Sequence, residues 1–277
     1  MEKAKIRKGT FCKICGNEIY PSDEIVKADG GCLGGVIYAH RDCACYGDSI
    51  ASYGHEELKE HHKETYSGFR FGCEFETNTH TTPEQRLQLF AWYGLRCTHD
   101  CTVTNEFKSG IINGLHGFKT MLNGISNIID IASGDNAGTH INASLTTWDN
   151  EALYKVRANA TEIFSPLLIA SKNRQGDCIN VFGRYFGEYR KYDTINFIHG
   201  SAICIKTNCI EYRLAKYQNT QQFFFLVAMI KEFTLIIDKF IQGKDNATVT
   251  AKKLVKAYQR RVNGTAKYMA VERNKNG

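Results

Sequence analysis

Residues 69–77 read FRFGCEFET and decide the fold, because apolar and polar side chains alternate along them. An alternation with a period of two residues predicts a β-strand that buries one face. Glu74 and Glu76 share one face of this strand, whereas Phe71 and Phe75 share the other. The segment therefore predicts a strand that presents two carboxylates on its open face.

Other predicted strands repeat this arrangement of ionisable side chains on one face. They carry His140, Asn142 and Ser144 in residues 138–144 (GTHINAS), Glu211 and Arg213 in residues 210–214 (IEYRL), and Glu106 in residues 103–107 (VTNEF). An antiparallel sheet can bury one face on helices and leave the other open. Carboxylates with an imidazole suit Mg²⁺ or Mn²⁺, and arginine suits a phosphate. The alternative is an ordinary solvated face, but such faces usually carry lysine and threonine, and no lysine is interleaved in these motifs.

The motifs at 71–76 (FGCEFE), 138–142 (GTHIN) and 210–214 (IEYRL) resemble, in order, those of the amidoligase family. That family belongs to the glutamine synthetase and glutamate–cysteine ligase superfamily, and the resemblance runs from about residue 68 to about residue 240. It implies an α+β fold with a glutamine-synthetase-like, mainly antiparallel sheet and helices packed on one face. It also implies ATP-dependent joining of a carboxylate to an amine through an acyl phosphate, with a peptide or protein among the candidate substrates.

The resemblance assigns roles to individual residues. The ligands of Mg²⁺ or Mn²⁺, and through the metal of ATP, would be Glu74, Glu76, Glu106, His140 and Glu211. Arg213 matches the arginine that contacts the γ-phosphate, and Arg184 lies where the family often has an arginine of less defined role. Asn142 departs from the family, which often has a second histidine there.

A Cys- and Gly-rich segment precedes the predicted sheet and carries two pairs of soft ligands. Cys12 and Cys15 form a CxxC pair, and His40 and Cys43 form an HxxC pair. This spacing lets two side chains of one turn reach adjacent corners of a tetrahedron around Zn²⁺. The module resembles treble-clef or LIM-like fingers, and we interpret its zinc as structural. Cys32 and Cys45 are alternative ligands, and scattered cytosolic thiols are the plain alternative.

The rest of the sequence predicts mainly helices. Thr82 and Pro83 signal a helix start. The apolar spacing predicts a helix that opens at Ser109, one helix through residues 153–168, and a core helix over residues 221–241. Further strands are predicted at residues 139–145, 194–197, 202–205 and 209–214. The predicted organisation is a zinc module (1–50), a linker (51–67), a catalytic domain (68–245) and a basic C-terminal helix or tail (246–277).

Charge is unevenly distributed along the 277 residues, whose net charge is +6. Residues 251–277 hold eight basic residues and one acidic residue, so this segment alone carries +7. It is either a solvated helix face or a site for nucleic acid or another polyanion. The sequence shows no transmembrane stretch or signal peptide, which predicts no membrane partner and a cytoplasmic protein. The competing functions are a phosphotransferase of the same fold and a zinc-finger nucleic-acid-binding protein with an inactive sheet.

Overall fold

The computed structural model describes residues 9–31, 35–45, 68–100, 103–115, 117–131, 137–172, 202–215, 217 and 219–275. In chain order its elements are β1 (Ile25–Asp29), β2 (Val36–His40), α1 (Arg41–Cys45), β3 (Phe69–Thr77), α2 (Pro83–Tyr93), β4 (Arg96–Asp100), β5 (Val103–Lys108), β6 (Ile112–Asn113), α3 (Phe118–Ser126), β7 (Thr139–Leu145), α4 (Asn150–Ala158), α5 (Ala160–Lys172), β8 (Ile203–Ile205), β9 (Ile210–Ala215), α6 (Thr220–Ile241) and α7 (Ala247–Lys275). The described residues form a mixture of helices and antiparallel strands, which confirms the α+β class.

Two compact units divide the chain. The first comprises Met1–His61, Cys73–Ile112 and Thr120–Ala137, and the second comprises His62–Gly72, Asn113–Lys119 and Gly138–Gly277. The predicted linker (51–67) and the predicted strand at 194–197 lie outside the described residues.

The first unit contains two groups of antiparallel strands. β1 pairs with β2, and β5 lies between β4 and β3. Phe75 stands opposite Phe107 on the buried face, and the next pair along the ladder is Glu76 opposite Glu106. The alternation predicted for residues 69–77 is therefore present, with the phenylalanines in the core and the glutamates on the other face.

Helix α2 begins where its sequence predicts. The Gln85 N–H donates to the Thr82 hydroxyl at 3.2 Å, and the Gln85 side chain accepts from the Thr82 N–H at 2.9 Å. This reciprocal cap satisfies two donors that the first helical turn leaves open. Pro83 occupies the first helical position, and Gly94 ends the helix in the left-handed conformation at φ +65°.

The buried side of α2 packs against the N-terminal module. Leu87 belongs to one apolar cluster with Val26 and Ala39 of the β1–β2 pair. At the end of the helix, the Trp92 indole N–H donates to the Asp29 carbonyl at 3.1 Å. The two short strands therefore obtain part of their core from a helix that follows β3 in the chain.

The second unit pairs β7 with β9 and β9 with β8, all antiparallel. Tyr212 stands opposite Ile141 on one side and Ile203 on the other, so these side chains share the buried face. Helix α6 packs against β7 and α4, as expected for the predicted core helix. Its buried side chains are Phe223, Leu226, Val227, Met229, Ile230, Phe233, Thr234, Ile237 and Phe240.

The helix predicted to open at Ser109 is wrong at its start. The Ser109 hydroxyl accepts from the Cys73 N–H at 2.8 Å, and the Ser109 N–H donates to the Cys73 carbonyl at 2.8 Å. Ser109 thus continues the pairing of β5 with β3. Gly114 and Gly117 both have φ near +72°, which interrupts any helix there, and α3 begins only at Phe118.

The single helix predicted through residues 153–168 is two helices. α4 ends at Ala158, because its C-cap residue Asn159 leaves the helical region with φ −115° and ψ +13°, and α5 starts at Ala160. The apolar spacing continues across this break, which is why the sequence reads as one helix.

Residues 247–275 form one helix that packs on α5 and α6. Its buried positions recur every three or four residues, at Ala247, Thr250, Ala251, Leu254, Ala257, Tyr258 and Val262. Arg260 and Arg261 pair with Glu232 of α6, and Lys253 pairs with Asp245 at 2.7 Å. Among the described residues, no helix combines the length and apolar character needed to cross a bilayer.

Candidate functional site

The four predicted zinc ligands come together in the first unit. Cys12 and Cys15 lie on a turn whose Gly16 adopts φ +77°, a conformation that glycine tolerates best. The turn is held beside β2 because the Lys13 N–H donates to the Tyr38 carbonyl at 2.9 Å. His40 ends β2, and Cys43 lies in α1, one helical turn further along the chain.

The spacing of these side chains fits a tetrahedral metal. The His40 Nδ1 atom lies 3.5 Å from the Cys15 sulfur and 3.9 Å from the Cys43 sulfur. Sulfur and nitrogen ligands of tetrahedral Zn²⁺ are separated by about 3.6 Å at ordinary bond lengths. One ligand atom from each of the four residues lies within 4.8 Å of all the others. Cys12, Cys15, His40 and Cys43 can therefore hold a metal such as zinc.

Backbone groups and a carboxylate support this cluster. Burial raises the pKa of the Cys12 thiol, but hydrogen bonds from the N–H groups of Cys15, His40 and Ile14 together outweigh burial. The net pKa is lowered to about 7. On the far side of the imidazole, His40 Nε2 lies 3.3 Å from the Asp23 carboxylate, which leaves Nδ1 facing the sulfurs. This pairing is typical of metal-binding histidines.

Cys43 differs from Cys12 in its electrostatics. Its burial, together with the charges of Cys12 and Cys15, raises its pKa to about 12. Crowded thiolates repel one another, and a bound cation relieves that repulsion. Both alternative ligands, Cys32 and the side chain of Cys45, lie outside the described part of the chain.

The carboxylates predicted for the first unit share one face of β3 and β5. Glu76 and Glu106 are directly opposite each other, and each is only 4% exposed. Oxygen atoms of Glu74 and Glu106 lie within 4.8 Å of each other. Three acidic side chains thus lie close together on a largely buried face, where like charges oppose folding unless a cation balances them.

Glu106 shows the electrostatic strain of this arrangement most clearly. Burial raises its pKa, the Lys108 ammonium lowers it, and the charge of Glu74 raises it; the net direction is upward. The Lys108 Nζ lies 3.0 Å from Glu106 Oε2, and the Thr98 hydroxyl donates to the same oxygen at 2.8 Å. The acidic face therefore includes a lysine, which the motif VTNEF alone does not contain.

The second unit presents its own polar face on β7, β9 and β8. Glu211 stands opposite Asn142 on one side and Cys204 on the other. His140 Nδ1 lies 3.8 Å from Glu211 Oε1, and both side chains are at least 95% buried. The buried histidine and the buried carboxylate predicted from separate motifs are thus neighbours, and they offer one nitrogen and one oxygen donor to a metal.

Sequence reasoning missed the lysine of this second face. The Lys206 Nζ lies 3.2 Å from Glu211 Oε1 and donates to Asn142 Oδ1 at 3.1 Å. Lys206 follows β8 in the turn that returns the chain to β9, and it precedes the first residue of the IEYRL motif by four positions. The absence of lysine noted for the motifs does not hold for the folded faces, since Lys108 and Lys206 each contact a buried glutamate.

Further cations gather near Cys204. Burial and the charge of Glu211 raise the pKa of this thiol, whereas the charges of Lys206, Arg213 and Arg157 lower it. The net direction is upward. Arg157 also donates to the Ile205 carbonyl at 2.8 Å, which fixes it beside β8. A helical arginine at this position carries no motif, so the sequence gives no signal for it. Arg184 lies outside the described residues.

Comparison of the chain with protein-family models, with curated proteins and with solved structures finds no match in any of the three.

Proposed function

We propose that this chain is an ATP-dependent carboxylate–amine ligase built on a glutamine-synthetase-like sheet. The observation that carries the proposal is the convergence of Glu74, Glu76 and Glu106 on one face of β3 and β5. Two of these carboxylates are 4% exposed, which is rare for glutamate unless a cation or hydrogen bonds compensate.

The donor set fits a hard divalent cation. Carboxylate oxygens are the ligands that Mg²⁺ and Mn²⁺ prefer, and an imidazole is acceptable to Mn²⁺. Glu74, Glu76 and Glu106 would hold such an ion in the first unit, and His140 with Glu211 would do so in the second. Bound there, Mg²⁺ supplies positive charge that neutralises phosphate oxygens during phosphoryl transfer.

The cations of the second unit suit the nucleotide. Arg213 lies on the same face of β9 as Glu211, and its planar guanidinium can hold two oxygens of the γ-phosphate. Arg184 is a second catalytic candidate by resemblance alone, without a defined task. As the γ-phosphoryl passes to a substrate carboxylate, ADP leaves, and these donors stabilise the transferred group.

The second step forms the amide. The amine nitrogen attacks the carbonyl carbon of the acyl phosphate, the C–O bond to phosphate breaks, and inorganic phosphate leaves. The amine gives up a proton to solvent or to a neighbouring carboxylate. ATP is needed because a carboxylate ion and an amine do not condense in water without activation.

The Cys/His cluster takes no part in this chemistry. Four protein ligands close a tetrahedral zinc site and leave no position for a substrate. Its contribution is to hold the turn at Cys12, strand β2 and helix α1 together, on a module that also packs on α2.

The test is a phosphate-release assay with ATP, Mg²⁺ and a panel of carboxylates and amines, peptides included. We expect release that needs both co-substrates, with an amide product of the corresponding mass. A phosphorylated product without amide would show the phosphotransferase instead. A protein that neither binds nor turns over ATP, and that binds nucleic acid with a steep salt dependence, would establish the zinc-finger alternative.

A further inference from the structure

Lys206 belongs to the polar face of the second unit, and the proposed reaction leaves it without a task. Its ammonium bridges Glu211 Oε1 at 3.2 Å and Asn142 Oδ1 at 3.1 Å. Glu211 is 5% exposed, whereas the Lys206 side chain is 39% exposed. The pair therefore joins a fixed, buried anion to a cation that reaches it from solvent.

The backbone of Lys206 is anchored, but its side chain can move. Its N–H donates to the Cys209 carbonyl at 2.9 Å and closes the turn between β8 and β9. The four-carbon stem allows the ammonium to swing away from Glu211 without disturbing this turn.

Two kinds of cation can bind the Glu211 carboxylate, the Lys206 ammonium and a divalent metal ion. His140 Nδ1 lies 3.8 Å from the same oxygen that Lys206 contacts. An imidazole nitrogen and a carboxylate oxygen at this separation are paired donors for a divalent ion, which binds carboxylate more strongly than an ammonium does. A divalent ion on His140 and Glu211 would displace the Lys206 ammonium from that carboxylate.

The surroundings of Lys206 attract anions once it is released. Arg213 and Arg157 lower the pKa of the Cys204 thiol together with Lys206, and Arg157 also donates to the Ile205 carbonyl, next to Lys206 in the chain. These three cations favour an anionic ligand, and a dianion or a more highly charged ligand most strongly. A polyphosphate carries that charge.

We propose that Lys206 is a phosphate-binding residue that Glu211 holds until a divalent cation takes its place on that carboxylate. The inference rests on the proposed function and adds an order to it, in which the metal first frees the ammonium that then contacts the nucleotide. The same lysine thus opposes binding of the metal alone and favours binding of the metal with a nucleotide.

The experiment compares two affinities in one variant. Isothermal titration measures Mn²⁺ alone, and then the non-hydrolysable β,γ-imido analogue of ATP in saturating Mn²⁺. In Lys206→Met, Mn²⁺ alone should bind about three- to tenfold more tightly, because a competing charge-assisted contact is removed. The ATP analogue should bind about tenfold more weakly, because one phosphate contact is lost.

Two further variants serve as controls. Lys253→Met removes a lysine–carboxylate pair of similar exposure (43% and 11% for the two side chains) in α7, and both affinities should stay within about twofold of the wild type. Lys206→Arg keeps the cation and guards against a folding defect, and it should bind the analogue within about threefold of the wild type.

The outcomes distinguish a failure of the proposed function from a failure of the role assigned to Lys206. A wild-type protein that binds neither Mn²⁺ nor the analogue overturns the proposed function, and this inference with it. A wild-type protein that binds both, with a Lys206→Met variant in which the two affinities fall together or stay unchanged, overturns the role of Lys206 alone.

Discussion

The Cys/His cluster and the acidic face of the first unit are both groups of predicted metal ligands, but the protein treats their charges differently. Around Cys12, Cys15, His40 and Cys43 the groups that favour the Cys12 thiolate are backbone N–H donors, and the Asp23 carboxylate on His40 adds negative charge. On the acidic face, Lys108 lies 3.0 Å from Glu106 and offers a full positive charge. We therefore expect a metal bound by the thiol site to be needed for local structure, and a metal bound by the proposed carboxylate site to exchange with solvent.

The largest effect is expected at the thiol site. Cys15→Ser removes one soft ligand from a closed set of four, so we expect bound zinc to fall from about one equivalent to none. The measurement is metal analysis of the purified protein, with amide hydrogen exchange over residues 9–45. Cys97→Ser is the matched control, since Cys97 lies in the same unit and outside the cluster. Zinc retained by Cys15→Ser, or no zinc in the wild type, would contradict a structural zinc site at these four residues.

A smaller effect is expected on the acidic face. Glu76→Gln keeps the shape of the side chain and removes the charge that faces Glu106, so ATP turnover should fall by about three orders of magnitude or more. The protein should stay folded, with an unchanged zinc content and circular dichroism spectrum. Glu151→Gln, an exposed position in α4, should keep full turnover. Near-normal turnover in Glu76→Gln would show that the face holds no catalytic metal.

Arg213 extends the comparison from metal to phosphate. Arg213→Lys keeps the charge and loses the planar fork, so kcat should fall by about two to three orders of magnitude. Affinity for ADP, which lacks the γ-phosphate, should barely change. The decisive measurement is kcat beside ADP affinity in the same variant. If ADP affinity collapses while kcat survives, Arg213 contacts another part of the nucleotide.

The smallest effect concerns α2, which packs against the N-terminal module and contacts β5 through the Arg86–Asn105 hydrogen bond. Thr82→Ala removes half of the reciprocal cap at the start of the helix and should cost about 1 kcal/mol, or about 2–4 °C in Tm. Zinc content and ATP turnover should stay within about twofold of the wild type. A loss of zinc in this variant would contradict the independence of the two sites.

Local patterns predicted the elements that depend on local chemistry. The alternation in residues 69–77 gave a strand with its phenylalanines buried, and Thr82 with Pro83 gave the start of α2. The spacing of the CxxC and HxxC pairs gave the ligand cluster, because each pair lies on a single turn of chain.

What the sequence did not show depends on pairing between distant segments. Lys108 reaches the acidic face because the register of β3 and β5 sets it opposite Glu74. Lys206 reaches Glu211 across the β8–β9 turn. Two glycines with positive φ overrode the helical spacing after Ser109, since backbone conformation at glycine is not visible in a pattern of apolar residues.

The shared core of α2 limits how this protein can be shortened or recombined. Leu87 is fully buried among residues of the N-terminal module, and Gly31 lies so close to Trp92 that an added side-chain carbon would collide with the indole. A chain cut to begin at residue 68 would expose Leu87 and Trp92 to solvent. The free energy of unfolding should fall by about 2–5 kcal/mol, as for a large truncation of a core side chain. The N-terminal module, in turn, should fold in another host protein only if α2 is transferred together with it.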